Sequence, residues 1–239
     1  MVVEIIPCLQ DNYSYLIIDE NNNEACVIDP GEAKPIVDFI ENSKINLKYI
    51  LNTHHHYDHV GGNLELKKKY NSTVVGFEGD KDRIPEIDVL VKDSQDWKAD
   101  NFRAKIIHIP GHTTGHIGYY FVNEKIIFTG DTLFSLGCGK IFEGTYKEMY
   151  ESLNKFKNLP LETKIYCGHE YTLKNSKFCV EHDPLNQNLI NKILEIKKKI
   201  NNGTPTLPTT LEDELACNIF LRANDVKSFS KLRDLKDNF

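Results

Sequence analysis

Four segments of the chain repeat one arrangement, in which an apolar run with β-strand character leads into residues that can bind a metal ion. These segments are "YILNTHHHYDH", "IIHIPGH", "IIFTGD" and "KIYCGH". In an α/β sheet the residues just past the strand ends gather at one rim, where ligand sites form. The pattern therefore predicts a layered α/β fold with metal-binding side chains along one edge.

The histidine-rich segment predicts ligands for two metal positions. Successive side chains of an extended segment point to opposite sides, so His54 and His56 can face one way while His55 faces the other. Asp58 and His59 follow after the chain has begun to turn, which directs them to a second point nearby. We expect His55 to serve as support or packing.

The other three segments end at His112, Asp131 and His169, which brings the candidate ligands to five histidines and two aspartates. If Asp131 bridges, each of two ions receives four protein ligands, and a shared water or hydroxide completes a five-coordinate site. The alternatives are unconnected core, turn or surface residues, and a closed structural zinc site, which usually uses cysteine and histidine. The number of candidate ligands favours a dinuclear site.

Three further histidines have ordinary interpretations. His108 lies within a predicted strand and is expected to be packed or hydrogen-bonded in the core. His116 either orients a ligand or packs locally. His182, between two acidic residues, is expected at the solvated surface.

Strands alternate with helices up to about residue 172, which predicts an α/β sandwich. The strand signal then stops. Three segments with helical periodicity follow: "NQNLINKILEIKKKI", "LEDELACNIFL" and "VKSFSKLRDLKDNF". We expect a C-terminal helical region that packs on the sandwich.

Composition excludes several classes of protein. The net charge of −6 argues against a nucleic-acid-binding surface, because phosphate binding draws on a broad basic field. No apolar run has the length of a membrane span, and the first residues read as a strand rather than a leader, so we expect a cytosolic protein. The six cysteines form no CxxC pair and are expected to be small buried hydrophobes.

The motifs "THHHYDH", "PGHTTGH", "FTGDTLF", "GCGK" and "CGHEYT" occur in an order that resembles the metallo-β-lactamase superfamily, and specifically the glyoxalase II (hydroxyacylglutathione hydrolase) family. The resemblance covers nearly the entire chain. It implies an αββα sandwich followed by a smaller C-terminal α-helical domain, with the division placed at residues 1–172 and 173–239. A monomer is expected, with a small oligomer as the alternative.

The resemblance also implies the roles of the ligands. His54, His56 and His112 correspond to the ligands of one ion, and Asp58, His59 and His169 to those of the other. Asp131 corresponds to the bridging carboxylate. The two divalent ions in this family vary among zinc, iron and manganese, of which zinc is preferred here, and imidazole and carboxylate suit all three.

Glutathione-binding positions of the family correspond to Lys140, Tyr171, Arg233 and Lys236. Arginine or lysine can bind the glycine carboxylate of glutathione through charge-assisted hydrogen bonds, and Arg233 and Lys236 share a face of a predicted helix. A solvated helix end is the alternative for these two residues. The family usually has a tyrosine where this chain has Phe142, so one substrate hydrogen bond, worth about 1 kcal/mol, is missing.

The activity implied is hydrolysis of S-D-lactoylglutathione, with Asp58 as a metal ligand that also orients the attacking hydroxide. The related persulfide dioxygenases, which use one iron, are the main alternative. A nuclease is disfavoured by the acidic charge balance. A metal-binding module without activity would be expected to lack Lys140 and Tyr171, and both are present.

Overall fold

The computed structural model describes residues 1–239. Its backbone divides into two compact units. The first unit comprises residues 1–108 and 115–124, and the second comprises residues 109–114 and 125–239.

The first unit contains a six-stranded sheet in the order β1-β2-β3-β4-β5-β6. Its strands are β1 (Val2–Cys8), β2 (Asn12–Asp19), β3 (Glu24–Ile28), β4 (Asn46–Leu51), β5 (Thr73–Phe77) and β6 (Val89–Val91). The first three strands pair antiparallel, and β3 to β6 pair in parallel. Parallel neighbours need long connections, which here carry the helices α1 (Lys34–Ser43), α2 (Tyr57–Val60) and α3 (Asn63–Tyr70).

Apolar side chains from these helices pack on the sheet and exclude water from it. Ile36 and Ile40 of α1 and Leu66 of α3 belong to one buried cluster with Val27 and Ile50 of the sheet. Each fully buried aliphatic side chain contributes about 2 kcal/mol of favourable transfer free energy. This packing fixes the strand ends, from which the candidate ligands project.

Parallel pairing determines which strand ends meet in this unit. Ile28 of β3 is opposite Leu51 of β4, and Leu51 is opposite Val75 of β5. The residues that follow Ile28 and Leu51 are therefore neighbours at the carboxyl edge of the sheet. The Asp29 N–H donates to the carbonyl of Leu51 over 3.1 Å and continues the pairing past the strand.

The first unit also contains three antiparallel strands, β7 (Asp96–Ala99), β8 (Phe102–His108) and β9 (Ile117–Phe121). The sequence pattern indicated β8 and β9 but neither β6 nor β7. Those two strands have only three and four residues, and Val89 and Leu90 are exposed, so no apolar alternation marks them.

In the second unit, β10 (Ile126–Gly130) and β13 (Lys164–Cys167) pair in parallel. Between them lie a hairpin formed by β11 (Leu133–Phe134) and β12 (Gly137–Cys138), and the helix α4 (Tyr146–Phe156). A capping box of Thr145 and Glu148 begins α4. β10 and β13 confirm the strands predicted at "IIFTGD" and "KIYCGH", and α4 is one of the helices expected to alternate with strands, whereas the sequence did not indicate β11 or β12.

Helices dominate the chain after β13: α5 (Thr172–His182), α6 (Gln187–Asn201), α7 (Leu211–Cys217) and α8 (Val226–Asp237). The three predicted helical segments are confirmed as α6, α7 and α8. The expectation that strands stop after residue 172 needs one correction, because the two-residue β14 (Thr209–Thr210) pairs with β13. The sequence did not indicate α5, because its buried face includes the polar residues Thr172, Asn175 and Ser176.

None of the helices combines the length and the apolar composition that a membrane-spanning helix needs. All six cysteines are buried free thiols, which confirms their prediction as small buried hydrophobes. Burial is the main reason that the pKa of the Cys167 and Cys179 thiols is raised, so both remain protonated at neutral pH.

Candidate metal centre

In the first unit, four candidate ligands lie together just past β4. The ring centroid of His54 is 4.7 Å from that of His56 and 4.2 Å from that of His59. Oδ2 of Asp58 is 3.6 Å from Nε2 of His59. His54 and His59 are buried, whereas Asp58 is partly exposed. The turn through α2 therefore brings both halves of the HxHxDH motif to one place.

Asp29, which follows β3, orients two of these histidines. Its carboxylate accepts hydrogen bonds from the Thr53 N–H over 2.7 Å and the Thr53 hydroxyl over 2.6 Å, and its Oδ2 lies 3.1 Å from His59 Nδ1. Because the Thr53 hydroxyl proton points to Asp29, its oxygen accepts from His54 Nδ1, 3.0 Å away. Both rings thus carry a proton on Nδ1 and present the Nε2 lone pair, as metal ligation requires.

Asp29 also lies close enough to be counted with the ligands, since the ligand atoms of Asp29, His54 and His59 are within 4.8 Å of one another. Its carboxylate already accepts three hydrogen bonds, so we assign it to orienting ligands rather than binding metal. The sequence pattern did not identify this residue as functional. The signal was present, because Asp29 follows the apolar run "EACVI" as the predicted ligands follow theirs.

The side chain of Asp58 is held by Asn12, at the start of β2. The Asn12 amide donates to Oδ2 of Asp58 over 3.0 Å and to its backbone carbonyl over 3.1 Å. Gly31 approaches the same carbonyl so closely that a Cβ at this position would lie 2.4 Å from the oxygen. Close packing of small and polar groups therefore fixes the backbone that carries Asp58.

His55 points to different partners, as the alternation of side chains predicted. Its Nδ1 lies 3.1 Å from Oδ2 of Asp80, and its Nε2 lies 3.4 Å from Nη1 of Arg83. Arg83 also forms an ion pair with Asp80, which is fully buried. With both ring nitrogens engaged, His55 supports the loop instead of binding metal.

The other histidines of this unit have packing roles. His116 is buried and stacks on His54 with the ring centroids 4.5 Å apart, so it supports the ligand-bearing loop. His108 stacks on Phe77 with the ring centroids 4.6 Å apart, so it is packed, but both residues are only partly buried and His108 does not lie in the core as expected. In the second unit His182 is exposed, as predicted, although its Nδ1 lies 3.0 Å from the carbonyl of Phe178.

In the second unit, Asp131 lies between two histidines. Its Oδ2 is 3.2 Å from Nε2 of His169 and 3.5 Å from Nε2 of His112, and all three side chains are buried. The parallel register of β10 and β13 explains part of this arrangement, because Gly130 is opposite Cys167 and Asp131 and His169 follow shortly after. One carboxylate oxygen thus lies close to the Nε2 atoms of two imidazoles.

Backbone contacts orient this second group of ligands. His112 Nδ1 lies 2.7 Å from the carbonyl of Lys140, so it donates there and leaves Nε2 as the acceptor. Gly139 lies against the backbone of Asp131, where a Cβ would be 1.8 Å from the carbonyl oxygen. His169 stacks on Tyr171 with the rings 4.7 Å apart and nearly parallel. The second glycine of "GCGK", Gly139, is required by its close approach to the Asp131 carbonyl.

The chemistry of these donors fits divalent metal ions. Both units present imidazole Nε2 atoms together with carboxylate oxygens, a set that suits zinc, iron and manganese. Three of the five imidazoles, those of His54, His59 and His112, have Nδ1 hydrogen-bonded to an oxygen. Such partners are the usual means by which proteins fix the ligating nitrogen.

The predicted substrate-binding residues all belong to the second unit. Lys140 and Phe142 are exposed, and the Lys140 ammonium lies 5.6 Å from the centre of the Phe142 ring. Phe142 meets the His112 ring edge-on at 5.2 Å. Tyr171 is partly buried beside His169. The aromatic ring of Phe142 thus lies near both a metal-ligand candidate and a cation.

Arg233 and Lys236 share one face of α8, but they differ in depth. Arg233 is buried, and its guanidinium donates to the carbonyl of Cys138 over 2.7 Å and to Asp237 over 2.9 Å. The Lys236 ammonium is buried without a hydrogen-bond partner and lies 5.0 Å from the rings of both Phe178 and Phe239. Burial is the main cause that lowers the pKa of Lys236 to about 8, and the charge of Arg233 adds to it.

Comparison with known proteins agrees with this architecture. The metallo-β-lactamase superfamily model matches residues 10–169, and the model of the hydroxyacylglutathione hydrolase C-terminus matches residues 170–239. The hydroxyacylglutathione hydrolase of Pelagibacter ubique (strain HTCC1062) is 66% identical over 239 residues, which is 100% of both chains.

Two solved structures show the same fold. ETHE1 from Myxococcus xanthus has a TM-score of 0.75 at 22% identity, with 98% of this chain and 90% of that chain covered. The structure of TTHA1623 in a di-iron-bound form has a TM-score of 0.59 at 25% identity, with 71% of this chain and 92% of that chain covered. These matches confirm the predicted metallo-β-lactamase sandwich with a helical C-terminal domain, and the chain belongs to the hydroxyacylglutathione hydrolase family of the metallo-β-lactamase superfamily.

Proposed function

We propose that the protein hydrolyses S-D-lactoylglutathione, or a related 2-hydroxyacyl glutathione, to glutathione and the free hydroxy acid. This reaction is the second step of methylglyoxal detoxification. The observation that carries the proposal is the match of the hydroxyacylglutathione hydrolase C-terminal model to residues 170–239, together with 66% identity to a full-length relative of that name. Residues 1–172 would supply catalysis and residues 173–239 substrate binding.

Two divalent metal ions are proposed for each chain, with zinc preferred and iron or manganese as alternatives. His54, His56 and His112 would hold one ion, Asp58, His59 and His169 the other, and Asp131 would bridge. The placement of Asp131 Oδ2 between two imidazole nitrogens supports the bridging role. When bound, the ions lower the pKa of a water molecule and polarise the thioester carbonyl.

Asp58 has a second role in this proposal. One carboxylate oxygen accepts a hydrogen bond from the attacking water and directs its lone pair at the thioester carbon. The Asn12 amide, 3.0 Å from Oδ2, keeps the carboxylate from rotating. Precise orientation of the nucleophile lowers the activation barrier because the entropy of alignment is lost before the reaction.

No strong general acid is needed for the departing group. The conjugate acid of a thiolate has a pKa of about 8.5, so the glutathione thiolate leaves readily near neutral pH. The buried cysteines of the chain take no part, because burial raises the pKa of thiols such as Cys167 and keeps them protonated.

The thiol carrier is proposed to be glutathione because cationic side chains of the second unit can bind its glycine carboxylate. The buried Lys236 ammonium lacks a hydrogen-bond partner within the protein, so a carboxylate would satisfy it. Arg233, Lys140 and Tyr171 complete the proposed contacts. A polyamine-conjugated thiol would meet like charge at Lys236 and is disfavoured.

A glutathione persulfide dioxygenase with one iron is the alternative function. The match to the hydroxyacylglutathione hydrolase C-terminus and the seven candidate ligands favour hydrolysis. Oxygen consumption with glutathione persulfide, together with one metal per chain, would reverse the assignment. We further propose that the protein is a cytoplasmic monomer. The six cysteines without a disulfide support the cytoplasmic location, because the cytosol keeps thiols reduced.

The direct test is a thioesterase assay on S-D-lactoylglutathione with metal quantification of the same sample. We expect turnover and two metal ions per chain. Asp58→Ala and His169→Ala should abolish turnover while circular dichroism shows a folded protein. Full activity in either variant would refute the dinuclear mechanism.

A further inference from the structure

The hairpin formed by β11 and β12 has its backbone bound by side chains of the C-terminal helical region. Five consecutive carbonyls, those of residues 134–138, each accept a hydrogen bond from such a side chain. The contacts are Asn218 Nδ2 to Phe134 (3.3 Å) and Gly137 (3.0 Å), Asn175 Nδ2 to Ser135 (3.1 Å), Cys179 Sγ to Leu136 (3.1 Å) and Arg233 Nη1 to Cys138 (2.7 Å). The hairpin therefore depends on the helices for its conformation.

Glu214 of α7 binds the turn of this hairpin. The Leu136 N–H donates to its Oε2 over 2.8 Å, and Leu136 has a φ of +57°, which is disfavoured for a residue with a side chain. Glu214 is fully buried and also accepts from Asn218 over 2.9 Å and from Thr209 over 2.8 Å. The buried Glu214 carboxylate therefore stabilises the positive φ of Leu136, which the backbone of a residue with a side chain does not favour.

The two ends of the hairpin differ in their support. On the side of Asp131, the Thr129 hydroxyl donates to the Leu133 carbonyl over 2.7 Å, and the Thr132 N–H donates to the Thr129 carbonyl over 3.1 Å. The donors and acceptors of these bonds are close in sequence to the hairpin and do not belong to the helical region. On the side of Lys140, Arg233 of the helical region binds the Cys138 carbonyl, and beyond it the Gly139 N–H donates to the Thr132 carbonyl over 3.2 Å and His112 Nδ1 to the Lys140 carbonyl over 2.7 Å. Only the Lys140 side includes a bond from the helices, so loss of their support should displace Lys140 more than Asp131.

We propose that Glu214 is a positioning residue for substrate binding, which fixes the Leu136 turn and through it the place where Lys140 meets the glutathione carrier. The inference rests on the proposed function for its substrate. The hydrogen-bond partners of the Glu214 carboxylate are Leu136, Asn218 and Thr209, none of which is a proposed metal ligand or substrate contact. Burial raises the pKa of Glu214 to about 7, and the hydrogen bonds from its three donors only partly offset this effect. The protein thus keeps an ionisable group at this turn although its burial is unfavourable.

Substitutions at Glu214 separate this role from general stability. Glu214→Gln can keep every contact, because its oxygen still accepts from Leu136 and Asn218, and its amide can donate to the Thr209 hydroxyl. Glu214→Ala leaves the Leu136 N–H without an acceptor. Thr209→Val is a matched control, since it removes a hydrogen bond of Glu214 that does not involve the hairpin. Glu212→Ala, at an exposed site on the same helix, controls for substitution in α7.

Three measurements test the proposal: steady-state kinetics on S-D-lactoylglutathione, the Kd of glutathione by calorimetry, and hydrogen exchange in the peptide spanning residues 133–140. For Glu214→Ala we expect KM and Kd to rise about tenfold, with faster exchange in the hairpin. The turnover number and the metal content should change less than KM, although His112 Nδ1 binds the Lys140 carbonyl over 2.7 Å and couples this position to a proposed metal ligand. Glu214→Gln and both controls should behave as wild type.

Unchanged KM and hairpin exchange in Glu214→Ala would overturn the inference, as would an equal rise of KM in Thr209→Val. If Glu214→Ala does not fold, Glu214→Asp carries the same prediction, because its shorter side chain cannot reach Leu136 from the same helix position. Absence of turnover in the wild-type protein would instead refute the proposed function. Hydrogen exchange and glutathione binding would still decide the role of Glu214.

Discussion

His59 donates a hydrogen bond from Nδ1 to the buried carboxylate of Asp29 across 3.1 Å. This contact fixes the tautomer of the imidazole and turns Nε2 towards the proposed metal position. Through the Thr53 hydroxyl the same carboxylate also orients His54. One aspartate outside the HxHxDH motif thus determines the direction of two proposed ligands that belong to different metal ions.

Asp29→Asn should weaken metal binding by about 10- to 100-fold, because an amide offers one acceptor oxygen where three donors now meet a carboxylate. Titration with a chelator, followed by metal quantification, measures the change. Asp19→Asn is a suitable control, since Asp19 is a buried carboxylate at the end of β2 whose hydrogen-bond partners are Asn21, Asn22 and Asn101. Equal metal loss in the two variants would contradict the role of Asp29.

His55→Ala should retain metal and substantial activity, whereas His54→Ala and His56→Ala should lose both. The physical reason is that His55 is engaged by Asp80 and Arg83, and these two remain paired with each other when His55 is removed. Metal content and turnover of the three purified variants give the comparison. Equal losses at all three positions would show that the alternation of side chains was interpreted wrongly.

Phe142→Tyr should lower KM for S-D-lactoylglutathione about fivefold, because the hydroxyl supplies one further hydrogen bond worth about 1 kcal/mol. The turnover number should not change, since the ring meets His112 only by its edge. Phe142→Leu, which loses the ring without gaining a hydroxyl, serves as the control. A lower turnover number with unchanged KM in Phe142→Tyr would argue against a binding role at this position.

KM should rise as the pH increases through about 8, the pKa to which burial lowers the Lys236 ammonium. Below that pH Lys236 is charged and can bind the glycine carboxylate, and above it the attraction is lost. Lys236→Arg should abolish this rise, because the guanidinium stays protonated throughout. Initial rates between about pH 6.5 and about pH 9, corrected for spontaneous hydrolysis, test the expectation. The same pH dependence in both proteins would exclude Lys236 as its source.

The free energy of unfolding should fall as the pH rises from about 4.5 to about 7, because the folded state raises the pKa of Glu214 across this range. Folded Glu214 binds a proton that the unfolded chain has already released, so stability decreases with pH there and is level above it. The full contribution is about 3 kcal/mol. Urea unfolding of wild type and Glu214→Gln at both ends of the range gives the difference. A constant difference would contradict the raised pKa.

The sequence predicted the ligand-bearing strand ends because parallel strands bring their carboxyl ends to one edge, whatever the details of packing. Asp131 and His169 meet in this way beyond β10 and β13. It did not identify Asn12, at the start of β2, or Asp80, because neither belongs to the four segments in which an apolar strand leads into the predicted ligands. Nor did it identify Glu214, which lies within a helix whose apolar spacing gives no sign of a buried carboxylate.

The sequence also did not predict how deeply each substrate-binding candidate is buried. Helical spacing correctly placed Arg233 and Lys236 on one face of α8, but spacing does not tell how far each side chain is from solvent. Arg233 is 4% exposed and donates to the Cys138 carbonyl, so reversing its charge would disturb the hairpin as well as any substrate contact. Substitution at Lys236 alone is therefore the cleaner test of carboxylate binding.

Chimeric enzymes would depend on the hydrogen bonds between the helical region and the hairpin. Side chains between residues 175 and 233 donate these bonds to the five carbonyls of residues 134–138. A tail transplanted from another superfamily member would have to present donors equivalent to Asn175, Cys179, Asn218 and Arg233, or leave buried carbonyls unsatisfied at a cost of about 1–3 kcal/mol each. Compatible tails can therefore be recognised by these four donor positions rather than by overall similarity. The catalytic and helical parts of such enzymes are exchangeable only as matched pairs.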